Sequence, residues 1–220
     1  MIEAIERIVY SKDWITVVFT IIFILFALAK YNNNKRFKKL LPLLISKNYL
    51  VIYAKQTPIL LNTFHIFFAI IQLFIFSLII FIGVKTKNSI AKEFEITFFI
   101  SILTSVFIFI VVRYFIGKIL AVIFEKENEH EYFTYIKMSY LSNFSLLLFP
   151  LLIITLYINF DSSVLAYLVL IFALFILLFY YVMIIINNQK LIFRKLFYFI
   201  LYLCALEVAP LIFLYKLFII

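Results

Sequence analysis

Residues 60–84 read LLNTFHIFFAIIQLFIFSLIIFIGV, twenty-five positions without one charged side chain. At 1.5 Å per residue a helix of that length reaches about 37 Å, enough to cross the roughly 30 Å hydrocarbon core of a bilayer. No soluble strand or core helix needs such a run, so the segment predicts a membrane-spanning helix. Four further stretches share the pattern, Trp14 to Ala29, Ile96 to Val112, Met138 to Asn159 and Val164 to Asn187, and a fifth, Leu196 to Tyr215, departs from it only at Glu207. The first and third are short, so their flanking charges should snorkel or the bilayer should thin around them. The fold class expected is therefore all-α, a polytopic transmembrane bundle of six spans forming a single integral-membrane domain over residues 1–220. No connection is rich in Gly, Pro and Ser, and none suggests a domain boundary.

Composition supports the same class. Two-thirds of the chain is apolar (67%), the mean hydropathy is +1.16, and only 2 of its 220 residues are glycine. A soluble domain could not hide that much hydrocarbon. The 29 Phe and 15 Tyr exceed ordinary core needs, so much of that surface should face lipid or a partner chain. A single cysteine, Cys204, excludes an internal disulfide, and with two histidines it cannot complete a zinc site. No metal and no cofactor is expected.

The first run could be mistaken for a signal peptide, because Ala27-Leu28-Ala29 resembles a cleavage site. Its flanking charges have the reverse polarity: Glu3, Glu6 and Asp13 outnumber Arg7 and Lys12 ahead of it, and Lys30, Lys35, Arg36, Lys38 and Lys39 follow. An uncleaved anchor with an external N-terminus is the better reading. Counting Lys and Arg over alternate connections places fourteen on one side and six on the other. Insertion retains basic loops in the cytoplasm, so both termini are predicted to be extracytoplasmic.

In the first cytoplasmic connection, Lys38, Lys39 and Lys47 alternate with Leu40, Leu41, Leu43 and Leu44 around Pro42. A helix lying in the interface would place Arg36, Lys38, Lys39 and Lys47 at lipid headgroups and the leucines in the acyl boundary; a plain positive-inside loop with a core contact is equally open. In the third connection, Tyr114 to Phe124 is apolar apart from Lys118, and Glu125-Lys126-Glu127-Asn128-Glu129-His130-Glu131 follows. That acidic stretch is expected to be a solvated turn, because adjacent carboxylates do not converge on a ligand without a fold to aim them.

Polar residues within the spans are few. Gln72, Thr104, Ser105 and Glu207 lie near mid-span, and Asn143 with Ser139 and Ser142 opens the fourth run. Pro150 and Pro210 each remove a backbone donor, so a helix kink or a neighbouring polar group is expected at both. Glu207 is the only acid deep in a span. It could line a pathway with Gln72, Asn143 or His65 nearby; alternatively it is a protonated or hydrogen-bonded contact between helices, the default for a lone ionisable residue. His65 reads first as a packed or interfacial histidine, and Asn143 as an interhelical hydrogen-bonding residue.

No Gly-rich phosphate loop, nucleophile elbow or H-E-x-x-H occurs, and no catalytic residue is assigned. The net charge of +9 is segregated by membrane side, so it implies no nucleic-acid partner.

The stretch Arg194-Lys195-Leu196 through Cys204-Ala205-Leu206-Glu207-Val208-Ala209-Pro210-Leu211, with the acidic leader and Asp13-Trp14, resembles a family of short, uncharacterised inner-membrane proteins of Bacteroidota. The likeness covers most of the chain, and C-A-L-E-x-x-P is its specific part. It implies a Gram-negative inner membrane and no activity. Tyr140 to Pro150 and the hydrophobic hairpin after it are similar in layout to the Yip family of multi-span trafficking scaffolds. The function expected is a non-enzymatic subunit or scaffold of a larger envelope complex, in contact with membrane lipids and with protein partners or further copies of itself. Two alternatives are a small transporter or channel using Glu207, and an enzyme acting on lipid at the basic face.

Overall fold

A computed structural model describes residues 13–44, 63–87, 95–157 and 162–187 of the chain, and all of them are helical or in tight turns between helices. Helix α1 spans Asp13–Asn32, the short α2 spans Asn34–Leu40 and a 3₁₀ turn covers Leu41–Leu44. Four long helices follow: α3 (Thr63–Lys87), α4 (Glu95–Ile123), α5 (Glu127–Tyr157) and α6 (Ser162–Asn187). By length and composition α1, α3, α4, α5 and α6 can each cross a membrane. The sixth run, with Glu207 and Pro210, lies outside the described residues, as does Lys47.

Helix α3 is the hub, packing against α1, α4, α5 and α6. Its buried positions Phe64, Phe68, Ile71, Ile75, Leu78 and Ile82 alternate in steps of four and three. That spacing draws one seam down a helix and suits nearly parallel neighbours. Ring contacts give the directions. Trp14 and Phe26 of α1 meet Phe81 and Phe68 of α3, so these two helices run antiparallel. Tyr180 of α6 meets Phe144 of α5 while Asn187 meets Tyr140, again antiparallel, whereas His65 and Phe76 of α3 meet Tyr135 and Phe144 of α5 in turn, so α3 and α5 run parallel. Consecutive spans thus alternate in direction. Lys30, Arg113, Lys118, Lys126, Lys137 and all of α2 gather at one end, hereafter the basic end; Asp13, Lys85 and Glu95 lie at the other.

At that opposite end Trp14 is wedged between Phe81 and Phe99, with ring centroids 5.4 and 5.1 Å away. Beside them the Lys85 ammonium donates to the Glu95 carboxylate at 2.7 Å and sits 5.6 Å from the centre of the Phe81 ring. Thr16 and Tyr157 share a hydroxyl hydrogen bond that ties α1 to the end of α5.

Two expectations about the third connection are corrected. The third run does not stop at Val112: α4 continues through Arg113 and Lys118 to Ile123, 29 residues in all. The acidic stretch is not a free turn either, because α5 begins at Glu127. Only Phe124, Glu125 and Lys126 connect the two helices. The Lys126 N–H donates to the Ala121 carbonyl at 2.8 Å and the Glu125 N–H to that of Val122 at 3.1 Å, with Glu125 at φ 51°. This is a Schellman cap, with a glutamate where glycine is usual. The Lys126 carbonyl then accepts from the His130 N–H at 3.0 Å and opens α5. Glu127 and Glu129 fall in the first turn of α5, where carboxylates favour the positive end of the helix dipole.

Proline has different consequences at its two described positions. Pro42 (φ −82°, ψ 15°) falls where α2 gives way to the 3₁₀ turn. Pro150 lies exposed within α5, which continues as helix on both sides of it.

Candidate functional site

Several buried polar side chains of the spans gather around the half of α5 nearest the basic end. Helical spacing puts Tyr135, Ser139, Ser142 and Asn143 on adjoining faces within two turns, and all four are buried. Two of these serines turn inward on their own helix: Ser139 donates to the Tyr135 carbonyl at 2.9 Å and Ser142 to that of Met138 at 2.6 Å. Such back-bonding satisfies a hydroxyl where water is scarce.

Asn143 reaches outward and joins three elements. It is 1% exposed. Its Nδ2 donates to the carbonyls of Leu40 at 2.7 Å and Leu41 at 3.1 Å, and its Oδ1 accepts from the Tyr180 hydroxyl at 2.6 Å. The two carbonyls close α2, where the last turn of a helix leaves acceptors without intrahelical donors. One amide therefore caps the end of α2 and ties it to both α5 and α6. One turn towards the basic end, Asn187 Nδ2 donates to the Tyr140 hydroxyl at 3.1 Å and makes a second bridge between α5 and α6.

Gln72 meets the same cluster from α3. It is 4% exposed, and its Nε2 donates to the Ser142 hydroxyl at 3.0 Å and to the Met138 carbonyl at 3.2 Å. Gln72 thus engages α5 at Ser142, next to Asn143, and both amides spend their donors on protein acceptors. His65, two turns earlier on α3, is 2% exposed; neither ring nitrogen has a hydrogen-bond partner among the described residues. Its ring lies edge-on to Tyr135 at 5.2 Å and to Phe64 at 5.7 Å. The ring is packed against aromatic neighbours from α3 and α5.

Thr104 and Ser105 contribute nothing to this cluster. Both are exposed on α4 and donate to the Ser101 carbonyl, at 2.9 and 2.8 Å. Among the described residues no three His, Cys, Asp or Glu side chains converge as metal ligands would. Sequence reasoning missed Tyr180, Tyr140 and Asn187. The only signal available was the helical spacing of Tyr180 and Asn187 towards the basic end of the fifth run, facing Tyr140 of the fourth.

A family model described as a domain of unknown function, DUF4271, matches residues 15–218. The chain belongs to the DUF4271 family. No curated protein and no solved structure matches it. The matched region of this DUF4271 chain takes in every long helix described above, so the Asn143 cluster is internal to the family's domain. The expectation of an uncharacterised membrane family therefore stands at that level, and the long apolar helices make the chain a multi-pass membrane protein.

Proposed function

We propose that this DUF4271 chain is a non-enzymatic scaffold subunit of a larger complex in a bacterial inner membrane, with its basic end towards the cytoplasm. The observation that carries the reading is the contrast between the inner cluster and α4. In the cluster, Gln72, Ser142, Asn143 and Tyr180 direct their donors to protein acceptors, an arrangement that locks helices together. Helix α4 instead buries only Phe99, Ile102, Gly117 and Ala121 of its 29 residues.

The bare face of α4 carries Ser101, Thr104 and Ser105, all exposed. A helix facing only lipid gains nothing from three small polar residues at mid-span, whereas small residues four apart let a second helix approach closely. Segregation of Lys and Arg to one end supports the cytoplasmic assignment, and the resemblance to Bacteroidota proteins supports the inner membrane.

The test is photo-crosslinking in living cells from a benzoyl-phenylalanine placed at Ile108, one turn beyond Ser105, with Leu168 on the exposed side of α6 as control. A discrete adduct with a second polypeptide from position 108 and none from 168 supports the reading. Lipid adducts alone at both positions contradict it, and an adduct of twice the chain's mass replaces the hetero-complex by a homo-oligomer.

A further inference from the structure

Helix α2 and the turn after it have two unlike sides. Phe37 packs on Phe68, and Leu40 and Leu43 are buried against the bundle. Lys35, Lys38 and Lys39 stand at positions i, i+3 and i+4, on one exposed face, with exposed Leu41 and Pro42 continuing it. Residues so spaced are neighbours, about 5–6 Å apart at Cβ. The face therefore concentrates positive charge, which at a membrane surface attracts anionic headgroups.

The depth of this face follows from α5. The Asn143 amide that holds the Leu40 and Leu41 carbonyls lies six residues past Lys137, the last charged residue before the apolar run of α5. At 1.5 Å per residue that is about 9 Å along the axis. Interfacial helices sit about 5–10 Å into the boundary between headgroups and acyl chains. The lysines therefore come to headgroup level while Leu41, 49% exposed, enters the acyl region. A cationic face beside an exposed apolar shoulder matches a ligand with phosphate and hydrocarbon in one molecule, which soluble phosphate does not supply.

We propose that Lys35, Lys38 and Lys39, with Leu41 beside them, form a binding site for the headgroup of an anionic phospholipid, and that Asn143 positions it by fixing the end of α2. The bundle thereby selects lipid at one defined place, in addition to any diffuse attraction from its other cations. Asn143 acts only through the backbone of α2 and touches no lipid.

The experiment is native mass spectrometry of the full chain in mild non-ionic detergent, titrated with phosphatidylglycerol or phosphatidylcholine of identical acyl chains. Phosphatidylglycerol should bind at least tenfold tighter. The variant Lys35→Gln/Lys38→Gln/Lys39→Gln should lose at least tenfold of that preference, while Lys118→Gln/Lys126→Gln, equally basic ground at the same end, should keep it within twofold. Asn143→Leu, with all three lysines present, should lose severalfold; if it does not fold, Tyr180→Phe, which removes one bond of the latch, should show a smaller loss. Equal losses in the α2 and control variants would overturn the proposal in favour of diffuse charge. Competition by glycerol phosphate at the same concentration as the lipid would overturn the lipid assignment, and an unchanged preference in the triple variant would overturn both.

Discussion

Truncating Asn143 to alanine removes two donors and one acceptor from the point where α2, α5 and α6 meet. Three bonds are lost, to Leu40 at 2.7 Å, Leu41 at 3.1 Å and Tyr180 at 2.6 Å. Side-chain hydrogen bonds between membrane helices average about 0.6 kcal/mol and reach about 1.7 kcal/mol. Three of them thus give about 2 kcal/mol at the mean and about 5 kcal/mol at the ceiling. The latch lies near the headgroups, where water can replace some of what is lost, so the lower half of that range applies: about 2–3 kcal/mol. Tyr180→Phe removes one bond and should cost about 1 kcal/mol. Because both changes break the same Asn143–Tyr180 bond, the double variant should cost less than the sum of the two, with a coupling of about 0.6–1 kcal/mol. The assay is reversible unfolding of the full chain in mixed micelles as the fraction of dodecyl sulfate is raised. Limited trypsin cleavage at Lys35, Lys38 and Lys39 reads the latch locally and should accelerate in Asn143→Ala. Stability within 0.5 kcal/mol of the parent, with trypsin cleavage unchanged, would refute the latch.

Other substitutions separate packing from polar bonding. His65→Leu replaces a buried ring that has no hydrogen-bond partner among the described residues by an apolar side chain, so unfolding should be unchanged or shift to higher dodecyl sulfate; a loss above about 1 kcal/mol would mean the imidazole has a polar role. Gln72→Leu should cost under about 1 kcal/mol in the same titration, because the Met138 carbonyl keeps the Ser142 hydroxyl. Glu125→Gly relieves a left-handed glutamate at the hairpin and should stabilise by up to about 1 kcal/mol, the larger unfolded-state entropy of glycine offsetting part of the gain. Lys85→Gln, at a partly exposed ion pair, should cost less than about 1 kcal/mol, and the difference should shrink as salt is raised.

Much of this architecture could be read from residue order alone, because an uncharged run twenty residues long has few places to go other than a bilayer. The runs from Trp14, Leu60 and Val164 each became a helix within a few residues of the expected ends, whereas the helix holding the fourth run starts well before Met138, at Glu127. The third ran past its expected end, and the reason is electrostatic bookkeeping: Arg113 and Lys118 look like the edge of a membrane, yet long cationic side chains can extend to the surface while their backbone stays helical. The hairpin at Phe124–Lys126 was equally hidden, since a Schellman cap normally announces itself by glycine and here has Glu125.

At the polar cluster, Gln72 and Asn143 stood out because amides are rare in such runs. Their partners did not. The acceptors at Leu40 and Leu41 are backbone carbonyls, which leave no mark on a sequence, and Tyr180 is one of 15 tyrosines. Thr104 and Ser105 showed the opposite failing: mid-span position suggested an interior site, but the side of a helix that meets its neighbours depends on packing partners that one sequence does not reveal.

The most direct test of a bundle that threads the membrane with its latched α2 at the cytoplasmic end is a labelling experiment on intact cells. In a Cys204→Ser background, cysteine is introduced at position 38 of α2 or at position 85 near the end of α3, and a maleimide that does not cross the inner membrane is added from outside. Position 85 should label at once, and position 38 only after the inner membrane is permeabilised. Immediate labelling at 38, or the same rate at both positions, would contradict it.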